Sequence, residues 1–229
     1  MYRGHKICVV MPCLNEEEGV QRLLKAMPAY VDTVIVVDNG STDGTPHVAQ
    51  ALGAKVVHES RRGYGRAYQT GIPAAEGDIT VTMDGDSSYP PEEIGSLLDP
   101  IIDSRADFVS GSRFPLKNNG SMSVTSQIGN FGLTFFANLL FLKNMKDSQS
   151  GMWAFKNSTY SLIAAKSDGM AFSQELKINA LMHPIIRFKE VPISYHPRIG
   201  TVKLAWFKDG IRNLSHLFVT LLANQFKRK

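Results

Sequence analysis

The feature that most constrains this chain is a repeated alternation in its first half. Short apolar runs rich in β-branched residues occupy residues 6–11 (KICVVM), 33–37 (TVIVV), 54–58 and 79–83, and residues 108–109 anchor a fifth. Between them lie segments with helical apolar spacing. Residues 16–27 place Val20, Leu23, Leu24 and Met27 on one face, and residues 64–75 read as a second helix. Thr45 and Pro46 suit the N-cap and first turn of a helix over 48–52. Pro91 opens a helix over 91–102, with Glu92 and Glu93 placed to meet the helix dipole. Strands joined through helices imply βαβ units and a mostly parallel sheet. In such a sheet ligands bind beyond the carboxyl ends of the strands. Asn15, Asp38, Asp84 and Arg113 each follow an apolar run and fall at that edge.

The second half is less regular. Residues 131–142, 158–165 and 174–182 read as helices, 152–155 as a strand, 185–194 as extended chain and 208–226 as an amphipathic helix. With 229 residues, 43% of them hydrophobic, the chain can bury a sizeable core. We find no linker, repeat or low-complexity tract, so the expectation is one α/β domain over 1–229. Residues 1–113 would form its nucleotide half, 114–205 its acceptor half and 206–229 a terminal helix.

Composition excludes several classes. A formal charge of +4 is too small to imply a nucleic-acid partner, though it suits anionic substrates or an anionic surface. Two cysteines, Cys8 and Cys13, cannot form a disulfide framework or a four-thiolate zinc site. Both read as structural thiols, which fits a reducing compartment. The polar start, residues 1–6, is unlike a signal peptide, and the apolar stretch at 131–142 is short of the ~20 residues a spanning helix needs. The chain is therefore expected in the cytoplasm or on the cytoplasmic face of a membrane.

Four loops carry chemistry. Asp84-Gly85-Asp86 puts two carboxylates in a turn after a strand, where they can share a hard cation such as Mg²⁺ or Mn²⁺; the same residues also make an ordinary solvated turn. Residues 38–45 (DNGSTDGT) offer Asp38 to a base or ribose, and equally suit a plain βα loop. In residues 11–18 (MPCLNEEE), Asn15 or Glu16 can reach ribose hydroxyls, while Glu17 and Glu18 fit helix N-terminal charge. Residues 61–66 (RRGYGR) combine Gly65 and Arg66 in a form that suits a diphosphate. No dinucleotide fingerprint or P-loop is present.

Taken in order, residues 11–17 (MPCLNEE), 38–45, 63–72 (GYGRAYQTGI) and 83–93 (MDGDSSYPPEE) resemble the family 2 inverting glycosyltransferases of GT-A fold, and among them the dolichyl- and polyprenyl-phosphate sugar synthases. The likeness continues through 109–114 (VSGSRF), 147–151 (DSQSG), 190–193 (EVPI) and 198–203 (RIGTVK). It implies that Pro12, Asn15, Glu16 and Asp38 line a nucleoside pocket, and that Asp84 and Asp86 hold a metal and diphosphate. It further implies that Arg113, Arg198 and Lys203 meet phosphates and that Asp147 is a base or positioning residue. Glu175 matches a family glutamate, and reads equally well as an exposed helix charge.

Two departures stand out. Ser88 replaces a glutamine common in the mannose synthases, and residues 121–142 hold no cation, offering Gln127 and Asn130 instead. The implied reaction transfers a sugar from a GDP- or UDP-linked donor to a polyprenyl phosphate, the alternative being a hydroxyl acceptor. A nucleotidyltransferase would carry a glycine-rich basic loop at 12–18, which here is acidic. Intact Asp84, Asp86 and Arg113 argue against a non-catalytic sugar-nucleotide-binding subunit. The 208–226 helix, with Lys227-Arg228-Lys229 after it, suits a membrane interface, a core position or contact with a second copy of the chain.

Overall fold

The structure, a computed structural model, describes residues 1–118, 120–201 and 206–226, apart from the side chains of 206–208 and 224–226. Among the described residues seven strands form one sheet: β1 (Ile7–Cys13), β2 (Thr33–Asp38), β3 (Lys55–His58), β4 (Ile79–Thr82), β5 (Phe108–Ser112), β6 (Trp153–Lys156) and β7 (Phe188–Pro192). Their order is β3-β2-β1-β4-β6-β5-β7. β1 pairs in parallel with β2 and β4, β2 with β3, and β5 with β7; only β6, inserted between β4 and β5, runs antiparallel to its neighbours.

β1 shows why the sheet is covered on both faces. Ile7, Val9, Met11 and Cys13 enter one core, while Cys8 and Val10 enter the other. The period-2 alternation of a strand thus sends an uninterrupted apolar run in both directions. On the first face lie α1 (Glu17–Ala26), α2 (Thr45–Ala51) and α4 (Ile94–Ile102), through side chains such as Val20, Leu23, Ala49 and Leu97. On the second lie α3 (Tyr64–Gly71), α6 (Tyr160–Ile163) and α7 (Ala171–Met182), through Ala67, Tyr68, Ile163 and Phe172. A third cluster joins α5 (Val124–Phe141), α7 and α8 (Trp206–Phe226) through Ala137, Phe141, Ile178 and Leu217.

Several elements differ in extent from the sequence expectation. α5 begins well before residue 131 because Ser123 caps it, accepting a hydrogen bond from Ser126 N at 3.2 Å. α2 is capped at Gly44, not Thr45. Asp43 accepts from Thr45 N at 3.0 Å, and Thr45 lies inside the helix with its hydroxyl receiving Glu16 N at 2.9 Å. The expected helix over 91–102 opens with a 3₁₀ turn (Pro91–Glu93). The extended stretch at 185–194 is strand only over β7.

Candidate active site

The four loops that carry chemistry lie at or just after the carboxyl ends of β1, β2, β3 and β4, and the parallel register brings them together. Cys13 pairs with Asp38 at the ends of β1 and β2, so the loops after them meet. Asn15, in the left-handed region at φ 50°, accepts from Thr42 N at 2.7 Å and donates its own N–H to Ser41 Oγ at 2.9 Å. Asp38 is buried. Burial pushes its carboxyl up, but hydrogen bonding from Ser41 N (3.0 Å) and His58 Nδ1 (3.2 Å) outweighs that and holds it below the usual range. Pro12 pairs with Val37 one position before Cys13. Pro12, Asn15, Glu16 and Asp38 therefore share one corner of the carboxyl edge.

The Asp84-Gly85-Asp86 turn sits beside this corner. Gly85 is required by contact: a Cβ there would lie 2.5 Å from Cys13 Sγ. Asp84 Oδ1 accepts from Tyr64 OH at 2.8 Å, and the backbone of Gly151 is packed so closely that a Cβ would lie 2.7 Å from Asp84 Oδ2. Burial and the neighbouring Asp86 push the Asp84 carboxyl up to about 7, against the Tyr64 hydrogen bond. Asp86 Oδ1 accepts from Ser88 N at 3.0 Å and Ser88 Oγ at 2.6 Å. Ser88, fully buried, thus orients a carboxylate where the resembling synthases carry glutamine.

Arg198 closes the site from the segment after β7. Its guanidinium meets Glu16 Oε1 at 2.8 Å and Asp86 Oδ2 at 3.5 Å. The backbone follows: Ile199 N donates to Asp86 O at 2.8 Å and His196 N to Ser88 O at 2.9 Å. Lys203 lies outside the described residues.

Arg113 and Asp147 form a buried pair. Arg113 Nε donates to Asp147 Oδ2 at 2.7 Å and its Nη2 to Oδ1 at 2.9 Å, while Tyr195 lies against the guanidinium 5.2 Å from its ring centre. Burial pushes the Asp147 carboxyl up, but Arg113 overrides it and holds it at about 2. Glu190 fixes this loop by accepting from Lys146 N at 2.7 Å and Asp147 N at 3.1 Å.

Four expected site residues are engaged with other partners. Arg66 pairs with Asp168 at 2.7 Å, and its neighbour Gly65 packs against the 167–168 backbone. Glu175 accepts from Lys166 N (3.1 Å) and Ser167 N (2.9 Å) and meets His216 of α8 at 3.0 Å. That places it between a loop and α8, half-buried rather than exposed. Gln127 donates to Met122 O at 2.9 Å in the first turn of α5.

Sequence reasoning missed Lys177. It is fully buried on α7 and donates to Asp147 O at 3.2 Å and Ser150 O at 2.8 Å. Burial pushes its ammonium down to about 7, against the attraction of Asp147. The one signal was a lysine flanked by Leu176 and Ile178. Tyr64 was visible as part of a loop, but not as the partner of Asp84.

The oxygen-rich pair Asp84 and Asp86 fits a hard divalent cation whose remaining ligands come from a diphosphate and water. Among the described residues no three His, Cys, Asp or Glu side chains cluster to hold a metal alone. No helix among them is long and apolar enough to cross a membrane.

The chain is similar to known proteins in sequence and in fold. The chain is 34% identical over 93% of its length to the low-salt glycan biosynthesis hexosyltransferase Agl6 of Haloferax volcanii, and spans 53% of that relative. It is 32% identical to the dolichyl-phosphate hexose transferase of the same organism, covering 91% of each chain. Glucosyl-3-phosphoglycerate synthase from Mycobacterium tuberculosis, solved with Mn²⁺, UDP and glucosyl-3-phosphoglycerate, superposes with a TM-score of 0.69. That match covers 96% of this chain and 80% of the synthase at 22% identity, a likeness of fold. The model of glycosyl transferase family 2 matches residues 8–161, and the chain belongs to that family.

Proposed function

We propose that the protein transfers a hexose from a UDP- or GDP-linked donor to a polyprenyl or dolichyl phosphate at a membrane surface, with inversion at the anomeric carbon. The observation that carries the acceptor assignment is the state of Asp147. Both of its oxygens are held by a buried arginine and its carboxyl sits at about 2, so it is ill suited to take a proton near neutral pH. A phosphate acceptor is already anionic and needs no base, whereas a hydroxyl acceptor does. Asp147 then acts as the positioning residue for Arg113.

The donor would sit along the corner formed by Pro12, Asn15, Glu16 and Asp38. Asp84 and Asp86 would hold Mg²⁺ or Mn²⁺, which when bound offsets charge on the departing nucleoside diphosphate. Arg113 and Arg198 supply cations on either side. In the reaction a phosphate oxygen of the acceptor bonds to the anomeric carbon as the bond to the donor diphosphate breaks; no proton need move. Catalysis is then positioning and electrostatic stabilisation. The names of the Haloferax dolichyl-phosphate relative and of the Mn²⁺- and UDP-bound synthase support this reading.

The membrane assignment rests on α5 and α8. Val124, Ile128, Phe131, Phe135, Leu139 and Leu142 recur every three or four residues and are all exposed, Phe131 at 75% and Leu142 at 85%. α8 packs on α5 and adds exposed Phe218 and Leu222. Exposed Lys143, Lys146 and Arg212 lie on the same two elements or just after them. Apolar stripes edged by cations suit the headgroup boundary of an anionic bilayer.

The test incubates the protein with Mn²⁺, UDP- or GDP-hexoses and a short-chain polyprenyl phosphate, and follows glycolipid formation. Glycolipid of inverted anomeric configuration is expected. Transfer only to hydroxyl acceptors would overturn the lipid-phosphate assignment, and absence of any donor turnover would overturn the whole reading.

A further inference from the structure

Arg198 is drawn onto two carboxylates of the proposed donor site. It reaches Glu16 from 182 residues away in sequence, and its other terminal nitrogen reaches Asp86. Its Nε is buried and meets no acceptor among the described residues. A buried donor without a partner is unfavourable, so this guanidinium is only partly satisfied where it stands. Two backbone hydrogen bonds, from Ile199 and His196, hold its segment over the Asp86 turn.

We propose that Arg198 is the specificity-determining residue of the metal site, making it select a metal–nucleoside diphosphate complex over the bare metal ion. The inference rests on the transferase reading above and adds an order of loading to it. A bare divalent cation approaching Asp86 has to displace the Arg198 guanidinium from that carboxylate and gives it nothing in return. A metal arriving with a diphosphate brings phosphate oxygens, which accept from the guanidinium, including its unpartnered Nε. The arginine exchanges carboxylate for phosphate, and its charge is balanced in both states. Lysine could balance the charge, but a single ammonium lacks the fork needed to span Glu16 and Asp86 together.

The experiment measures binding of MnCl₂ alone, and of MnCl₂ with UDP or GDP, by calorimetry on the full chain and on Arg198→Gln and Arg198→Lys. Circular dichroism first verifies folding. In Arg198→Gln, Mn²⁺ alone should bind about tenfold more tightly than in the unaltered protein, and the Mn²⁺–nucleotide complex about tenfold more weakly, one charged contact being lost in each case. Arg198→Lys should change both in the same directions by less, and carries the test if the glutamine variant does not fold. Opposite signs in one variant are the signature, since a merely structural arginine would weaken both. If the unaltered protein binds Mn²⁺–UDP or Mn²⁺–GDP but the folded variants bind Mn²⁺ alone no more tightly, the inference is wrong and the transferase reading stands. If the unaltered protein binds neither nucleotide with Mn²⁺, both fall.

Discussion

Asp84 and Asp86 are two residues apart, yet their surroundings differ. Asp84 takes one hydrogen bond from Tyr64 and is crowded by Gly151, whereas Asp86 is oriented by Ser88 and faces Arg198. Replacing Asp86 with alanine should weaken Mn²⁺-dependent donor binding by at least ~100-fold, more than loss of a supporting contact costs at a metal site. The fold should survive, because Arg198 keeps Glu16 and a partly exposed pair contributes ~1 kcal/mol or less. Calorimetry and urea unfolding on the same variant separate the two effects. Arg113 is a different case, buried and bidentate. Arg113→Lys retains the charge but loses the second hydrogen bond to Asp147, so glycolipid formation should drop at least tenfold and stability by ~1–3 kcal/mol. Unchanged kinetics in that variant would remove the fork from the mechanism. The residues themselves were legible in the sequence, because each ends an apolar run. Their partners were not: Asp147 is 34 residues from Arg113 and Asp168 is 102 from Arg66, distances at which no local spacing rule operates.

At the level of elements, α7 holds the 147–151 loop from beneath. Ser173 Oγ and Lys177 Nζ both donate to Ser150 O, and Gln174 Nε2 donates to Ser148 Oγ at 3.2 Å. Lys177 gives this arrangement a pH signature. Its ammonium is pushed down to about 7, below the ordinary 10.5. Between those values the unfolded chain binds a proton that the folded chain does not, so stability rises with pH through that window, by up to ~1.4 kcal/mol per pH unit. Below about 7 both states carry the proton and this contribution to the slope vanishes. Lys177→Met should therefore flatten the rise in stability measured by urea unfolding between pH 7 and 9; an unchanged slope would show that another group sets it. The sequence showed where most helices lie, but not that α5 starts at Val124, since its first two turns (VTSQIGN) lack an apolar stripe wide enough to mark a buried helix. The stripe that does run through α5 faces outward, and no periodicity can say which side of a helix meets solvent.

For the whole molecule, α8 is both a cover and a surface. Leu217 is buried with Ala137, Phe141 and Ile178, so deleting α8 would uncover the third core and confound any membrane assay. Point changes on the outer face avoid this. A Phe131→Ser, Phe135→Ser double variant should keep its stability within ~0.5 kcal/mol, as exposed positions usually do. It should lose at least tenfold in partition onto anionic liposomes, because each phenylalanine forfeits ~1.5–3 kcal/mol of apolar burial. Flotation equal to that of the unaltered protein would move the membrane contact elsewhere.

The sheet order carries one more consequence. β4 finds its second neighbour only in β6, which lies beyond β5, α5 and the 147–151 loop in the chain. While the protein is being made, residues 79–82 leave the ribosome long before 153–156 exist to pair with them. The nascent chain thus carries an open, β-branched edge through much of its synthesis, the kind of edge on which chains aggregate. A shortened gene product ending near residue 113 would keep that edge for good, so residues 1–113, although contiguous in sequence, are expected to aggregate unless the edge is blocked.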